Sequence, residues 1–157
     1  MHPPSGVVKI NVDAALSKNT STASAATIAR DEDGRFMGAS ALVLRGIVDP
    51  EVVESIACRK GMALALDLRA DSFRLASDCL NVVKSIQQDD LRIYEQVIRE
   101  INARKAAFRS LEFVYEHRDS NTDVHRIARS SIHAELGRHV WFLNPPDGVC
   151  NIYNPPR

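Results

Sequence analysis

The amino-acid sequence predicts an α/β domain, a mixed sheet of five strands with helices on its faces. Three observations carry this. Apolar and polar residues alternate with period two in short stretches such as 7–13, 72–77 and 111–115. Longer stretches between them repeat apolar residues at helical spacing. An Asp33-Gly34 pair between two apolar runs marks a hairpin. The resulting order is β-β-β-α-β-α-α-β-α.

The lead-in, residues 1–6, contains Pro3, Pro4 and Gly6, which suit neither a helix nor a central strand. Val8, Ile10 and Val12 then face one way and Lys9, Asn11 and Asp13 the other, predicting a strand that ends at Asp13. Two further strands, over 23–30 and 35–44, flank the Asp-Gly turn and pair antiparallel. Asp49 caps a helix that has Pro50 in its first turn and Val53, Ala57, Gly61, Leu64 and Leu68 as its stripe. A fourth strand spans 72–77, and Asp78 opens a short helix to about Ile86. An amphipathic helix follows over 91–108 with Tyr94, Val97, Ile98 and Ile101 on one face, and Leu111, Phe113 and Tyr115 form a fifth strand. Asn121 caps a last helix whose stripe is Val124, Ala128, Ile132 and Leu136, stopped by Gly137. The domain is thus expected over 7–137, with an irregular Pro-containing tail over 138–157 in which Trp141 packs on the domain.

At 157 residues one core suffices without a metal or disulfide staple. Twenty basic and twenty acidic residues cancel, so the chain lacks the overall basic charge of a general nucleic-acid binder and any such contact must be local. Cys58, Cys79 and Cys150 show no paired spacing, which suggests reduced thiols. There is neither a signal-peptide pattern nor an apolar run long enough to span a membrane. The expectation is an intracellular protein, nuclear or cytoplasmic, that is not secreted and acts as a monomer.

Ligands of α/β sheets gather beyond strand C-termini. Asp13 ends the first strand, Asp78 ends the fourth, and Glu54 lies in the first turns of the helix between them. If those two strands are parallel neighbours, the three carboxylates converge and repel unless a cation lies among them. Oxygen-only ligation favours Mg²⁺ or Mn²⁺ over zinc. Each residue also has a purely structural reading: Asp78 as a helix N-cap, Glu54 as a solvated charge, Asp13 as a turn former. Their joint placement is what points to a metal.

Five blocks then resemble a known family. They are Lys9-Ile10-Asn11-Val12-Asp13, Arg30-Asp31 with Gly34, Glu54-Ser55-Ile56-Ala57, Ser77-Asp78-Cys79-Leu80, and Arg118-Asp119-Ser120-Asn121 followed by His125, Ile127 and Ala128. In this order they resemble type 1 ribonuclease H domains, in the plant variant found alone or at the end of retroelement reverse transcriptases. The resemblance implies a ribonuclease H-like fold, its first three strands an antiparallel meander, with helices on both faces. It implies an endonuclease that cuts the RNA strand of an RNA–DNA hybrid, using two Mg²⁺ ions held by Asp13, Glu54 and Asp78. The fourth metal position falls on His125, where the cellular enzymes have Asp and the plant variant often has His. Asp123 is two helical residues, about 200°, away from His125 and is not counted as a ligand.

Two departures bear on substrate binding. Ala14 stands where the family has Gly, and residues 21–26 are alanine-rich where glycines are usual. Together with the zero net charge, they motivate an alternative, a domesticated module that binds nucleic acid or a protein partner without cutting. Arg118, next to His117, is a candidate phosphate ligand, and Asn121 belongs to the same nucleic-acid-binding block. Arg99, Arg104 and Lys105, with Arg109, form a basic cluster that could grip the DNA strand, although Glu95 and Glu100 offer Arg99 and Arg104 partners within the helix. Hybrid recognition is expected through groove shape, phosphates and the 2′-hydroxyl.

Overall fold

In a computed structural model, described over residues 6–88 and 95–146, the alternating stretches become strands of a single sheet. Strands β1 (Val8–Ser17), β2 (Thr22–Arg30) and β3 (Phe36–Arg45) form an antiparallel meander. The Asp31 carboxylate accepts the backbone N–H groups of Asp33 and Arg35, each at 2.9 Å, and Gly34 adopts φ +85°, so the predicted turn chemistry is in place. Beyond the meander, β4 (Ser72–Ser77) lies parallel to β1, and β5 (Ser110–Tyr115) lies parallel to β4.

Between β3 and β4 runs α1 (Pro50–Asp67), whose N-cap Asp49 accepts the Glu51 amide at 2.9 Å. Its Gly61 rests directly on the sheet: a Cβ there would lie 2.6 Å from Leu75 Cδ1 and 2.9 Å from Val12 Cγ1. The alanines of β2 belong to the same contact. All nine residues of β2 are buried, and Ala23, Ala25 and Ala29 pack in the cluster that contains α1. The alanine-rich run is therefore core beneath a helix, and not a loop that approaches phosphate.

Helices α2 (Leu80–Gln88) and α3 (Glu95–Arg104) contribute to that same cluster, around Phe73, Phe108 and Phe113. A second cluster, built on Ala15, Ala26, Ile28 and Ala39, takes Val124, Ile127 and Ala128 from α4 (Thr122–Ser131). Because residues of opposite parity on β1 and β2 enter the two clusters, the helices lie on opposite faces of the sheet. Among the described residues no helix is long and apolar enough to cross a membrane.

Several boundaries differ from the sequence reading. A sixth strand, β6 (Gly137–Trp141), pairs antiparallel with β3 where an irregular tail was expected, giving the order β5-β4-β1-β2-β3-β6. As an edge strand containing Arg138 and His139 it buries neither face fully and so shows no apolar alternation. Helix α4 stops at Ser131, leaving Ile132 buried just beyond it and Leu136 54% exposed. The helix expected over 91–108 ends at Arg104 and closes with one tight turn at Lys105–Ala107; residues 91–94, Tyr94 among them, lie outside the described residues. Strand β1 runs on to Ser17, past Asp13.

Candidate metal centre

The extension of β1 creates the site. Pairing between β1 and β4 stops at Asn11 and Ala76, while β1 continues to Ser17 with only β2 beside it. Into the space beyond the end of β4 come Asp13 from β1, Glu54 from the second turn of α1, and Asp78 from the β4–α2 junction. One oxygen of each carboxylate lies within 4.8 Å of the others. Asp13 and Glu54 are each 5% exposed. The carboxylates that the sequence reading expects to converge do so, and the chain positions them on three separate elements.

The alternative structural roles are not taken up. The Cys79 amide, just before α2, donates to the Ser77 hydroxyl at 3.0 Å, and the Asp78 carboxylate gathers with those of Asp13 and Glu54. Glu54 is not solvated. Asp13 is a strand residue, and so is Ala14, paired with Ala25 and without a positive φ, so the backbone does not require a glycine here.

The electrostatics are those of crowded, buried carboxylates. Burial, the Asp13 charge and, more weakly, Asp78 push Glu54 up to about 8 against the relief given by the Ser77 hydroxyl, which donates at 2.7 Å. Burial also raises Asp13, opposed chiefly by its hydrogen bond to His125, with Nδ1 2.7 Å from Asp13 Oδ2. His125 thus reaches the site, but its Nδ1 is engaged with Asp13. The group of metal-competent donors comprises Asp13, Glu54 and Asp78. Asp123 turns away, as expected, and pairs with Arg30 at 2.8 Å.

A polar row on β1 fixes the segment that carries His125. Lys9 forms an ion pair with Glu116, Asn11 Nδ2 donates to Asn121 Oδ1 at 2.6 Å, and Asp13 meets His125. Asn121 Nδ2 donates in turn to the Val12 carbonyl at 2.9 Å, and its residue is 1% exposed. The structure therefore engages Asn121 inside the protein: it occupies the N-cap position of α4, but its side chain makes no capping hydrogen bond and is turned to Asn11 and the Val12 carbonyl. Arg118 is placed differently. Its side chain is 79% exposed at the mouth of the site, with Nε 3.8 Å from Asp78 Oδ2. Tyr115 and His117 line the same opening.

The basic cluster lies elsewhere. Ser72 of β4 pairs with Ser110 and Ser77 with Tyr115, so the chain enters β5 from Lys105 and Arg109 at the end opposite Asp78. Lys105 Nζ donates to the Ile86 carbonyl at 3.3 Å, and Arg99 pairs with Glu95 at 2.8 Å. Arg104 closes the last turn of α3.

Sequence reasoning missed Ser77, Cys79, Tyr115 and Glu51 as neighbours of the carboxylates. The signal for Ser77 was present in its position: it follows Leu75 on the buried alternation of β4 and directly precedes Asp78.

A mixed sheet in this order, with three carboxylates gathered where β1 outruns β4, defines a domain of the ribonuclease H fold. Residues 11–131 match the model of the reverse transcriptase-like family, and the chain belongs to that family. Solved structures agree on the fold. The N-terminal ribonuclease H domain of Rv2228c from Mycobacterium tuberculosis superposes with a TM-score of 0.72 at 20% identity, over 81% of this chain and 94% of that one. Ribonuclease H1 from Halobacterium salinarum gives 0.69 at 18% identity, over 82% and 98%. LC11 ribonuclease H1, solved in complex with an RNA/DNA hybrid, gives 0.70 at 18% identity, over 80% and 96%. A search of curated protein sequences finds no match.

Proposed function

We propose that this domain is a divalent-metal-dependent endonuclease that hydrolyses the RNA strand of RNA–DNA hybrids, with Mg²⁺ as its ion and Mn²⁺ as a substitute. The carboxylate triad carries the reading. Three acidic side chains with ligand atoms within 4.8 Å, two of them buried, form an all-oxygen donor set suited to a hard divalent cation. The only nearby guanidinium among the described residues, that of Arg118, stands 3.8 Å from one of them and is largely in solvent. A pair of Mg²⁺ ions, when bound, supplies a hydroxide nucleophile at phosphorus and stabilises the departing 3′ oxygen.

The chain's own residues have distinct tasks in this reading. Asp13, Glu54 and Asp78 hold the ions, and the burial of Asp13 and Glu54 limits screening by bulk water. His125 lends a proton at Nδ1 to Asp13, orienting that carboxylate, and its half-exposed ring would leave it able to help hold an ion there. A histidine at this position accords with the plant, retroelement-associated variant that the sequence resembles. Arg118 presents a planar set of donors at the mouth, suited to a phosphate oxygen. Arg99 and Arg104, both on α3, serve as a secondary grip on the DNA strand. That a fold relative has been solved with an RNA/DNA hybrid supports the substrate class.

Two of the three sequence features that motivate a non-cutting module have structural explanations, since Ala14 is an ordinary strand residue and the β2 alanines are core; the zero net charge stands. A direct test offers one sequence as hybrid, duplex RNA, single-stranded RNA and duplex DNA in the presence of Mg²⁺. Internal cuts confined to the RNA of the hybrid, leaving 5′-phosphate ends, are expected. Hybrid binding without cutting would assign the non-catalytic module instead.

A further inference from the structure

Ser77 closes β4 and is completely buried. Its hydroxyl donates to Glu54 Oε1 at 2.7 Å and accepts the Cys79 amide at 3.0 Å. A hydroxyl has one hydrogen, and with the amide on a lone pair the Glu54 carboxylate is the acceptor placed to take it. The backbone of Ser77 is held as firmly: its carbonyl accepts the Glu116 amide at 2.9 Å, and it pairs with Tyr115 across β5. Among the described residues it is the one side chain that donates to Glu54. The other groups acting on that carboxylate are two more carboxylates and the Ala14 amide.

We propose that Ser77 is the positioning residue of this centre: its hydroxyl, oriented by the Cys79 amide, locks Glu54 in the rotamer that keeps its carboxylate beside Asp13 and Asp78. Without the hydroxyl, Glu54 has two negative neighbours and no side chain to hold it, and it swings away from them. The role rests on the reading of the three carboxylates as a metal centre. It differs from a packing role because it requires a donor at this position and not merely a side chain of the right size.

The test combines crystal structures of wild-type, Ser77→Ala and Ser77→Thr proteins with Mn²⁺ titrations of each, followed by the loss of the free-ion paramagnetic resonance signal. In Ser77→Ala the Glu54 carboxylate is expected to leave its place and Mn²⁺ affinity to fall about 10-fold. In Ser77→Thr, which keeps the hydroxyl, both are expected to be restored. Ser77→Cys, nearly the same size but a weak donor, should lose affinity like Ser77→Ala, and it provides the comparison should the alanine variant not fold. Glu54 unmoved, or Mn²⁺ affinity within about twofold of wild type in both Ser77→Ala and Ser77→Cys, would overturn the role of Ser77 alone. Wild-type protein that binds no Mn²⁺ would overturn the metal-centre reading, and the positioning role with it.

Discussion

His125 Nδ1 and Asp13 Oδ2 lie 2.7 Å apart, joining the first turn of α4 to the unpaired flank of β1. Removing the imidazole leaves a buried carboxylate without its side-chain partner and raises Asp13 further from its ordinary range. His125→Ala is expected to lower the turnover number by about 10–100-fold while leaving hybrid affinity nearly unchanged. His125→Asp, which supplies an oxygen ligand at the position where the family resemblance implies one, is expected to keep most of the activity. Steady-state cleavage kinetics check both, and equal losses in the two variants would contradict the role given to His125.

Glu54 makes the metal-free protein sensitive to alkali. Its pKa is about 8 in the folded chain against an ordinary 4.5, so between those values the folded state binds the extra proton. Stability is therefore greatest toward the acid end of this window and falls as pH rises toward 8, at up to about 1 kcal/mol per pH unit. Melting in chelator between about pH 5 and 8 should show the decline, and Glu54→Gln should flatten it. Added Mg²⁺ should stabilise more at the upper end, where fewer protons compete for the carboxylates. A melting temperature that rises steadily across this range in chelator would count against the buried, crowded state of Glu54.

Gly61 sets how closely α1 approaches the sheet, and so where Glu54 stands. Alanine at this position gains roughly 1 kcal/mol of helix propensity. It also places a methyl group 2.6 Å from Leu75 Cδ1 and 2.9 Å from Val12 Cγ1, which the core must give way to accommodate. Overpacking wins: Gly61→Ala is expected to destabilise the protein by about 1–3 kcal/mol, read from denaturant unfolding, and to lower activity by displacing α1.

Asn121 and Arg118, three residues apart, should respond in opposite ways. Asn121→Ala leaves the buried Val12 carbonyl without its side-chain donor and is expected to cost about 1–3 kcal/mol of stability. Arg118→Ala alters a side chain that is 79% exposed and should change stability by no more than about 0.5 kcal/mol, while raising the KM for hybrid. Thermal unfolding beside cleavage kinetics separates the two. A destabilised Arg118→Ala would show that the guanidinium serves the fold.

Much of this was legible in the sequence because local chemistry and tertiary role agree. Asp49 with Pro50, Asp33 with Gly34, and the alternation of β1 and β4 each specify one local structure, and the fold uses it. The carboxylates could be read because Asp78 directly follows β4, Glu54 lies in the early turns of α1, and the apolar alternation of β1 gives way at Asp13, although the strand itself continues to Ser17. The parts that could not be read depend on distant partners. Strand β6 exists because β3 offers it an edge, which leaves no periodic signal in Gly137–Trp141. Asn121 has the composition of a helix cap, yet Asn11 and Val12, more than a hundred residues earlier, claim its amide. Lys105 reads as a free cation until the Ile86 carbonyl is found beside it.

The central claim is that Asp13, Glu54 and Asp78 form the metal centre of a hybrid-cutting nuclease. The most direct measurement is cleavage of an RNA–DNA hybrid, labelled in the RNA, by wild-type and Asp78→Asn proteins with Mg²⁺, with Mn²⁺ and with chelator. The account predicts internal RNA cuts by the wild type with either metal, abolished by chelator and by the substitution. Cleavage that persists in chelator or in Asp78→Asn, or folded wild-type protein that leaves the RNA intact with both metals, would contradict it.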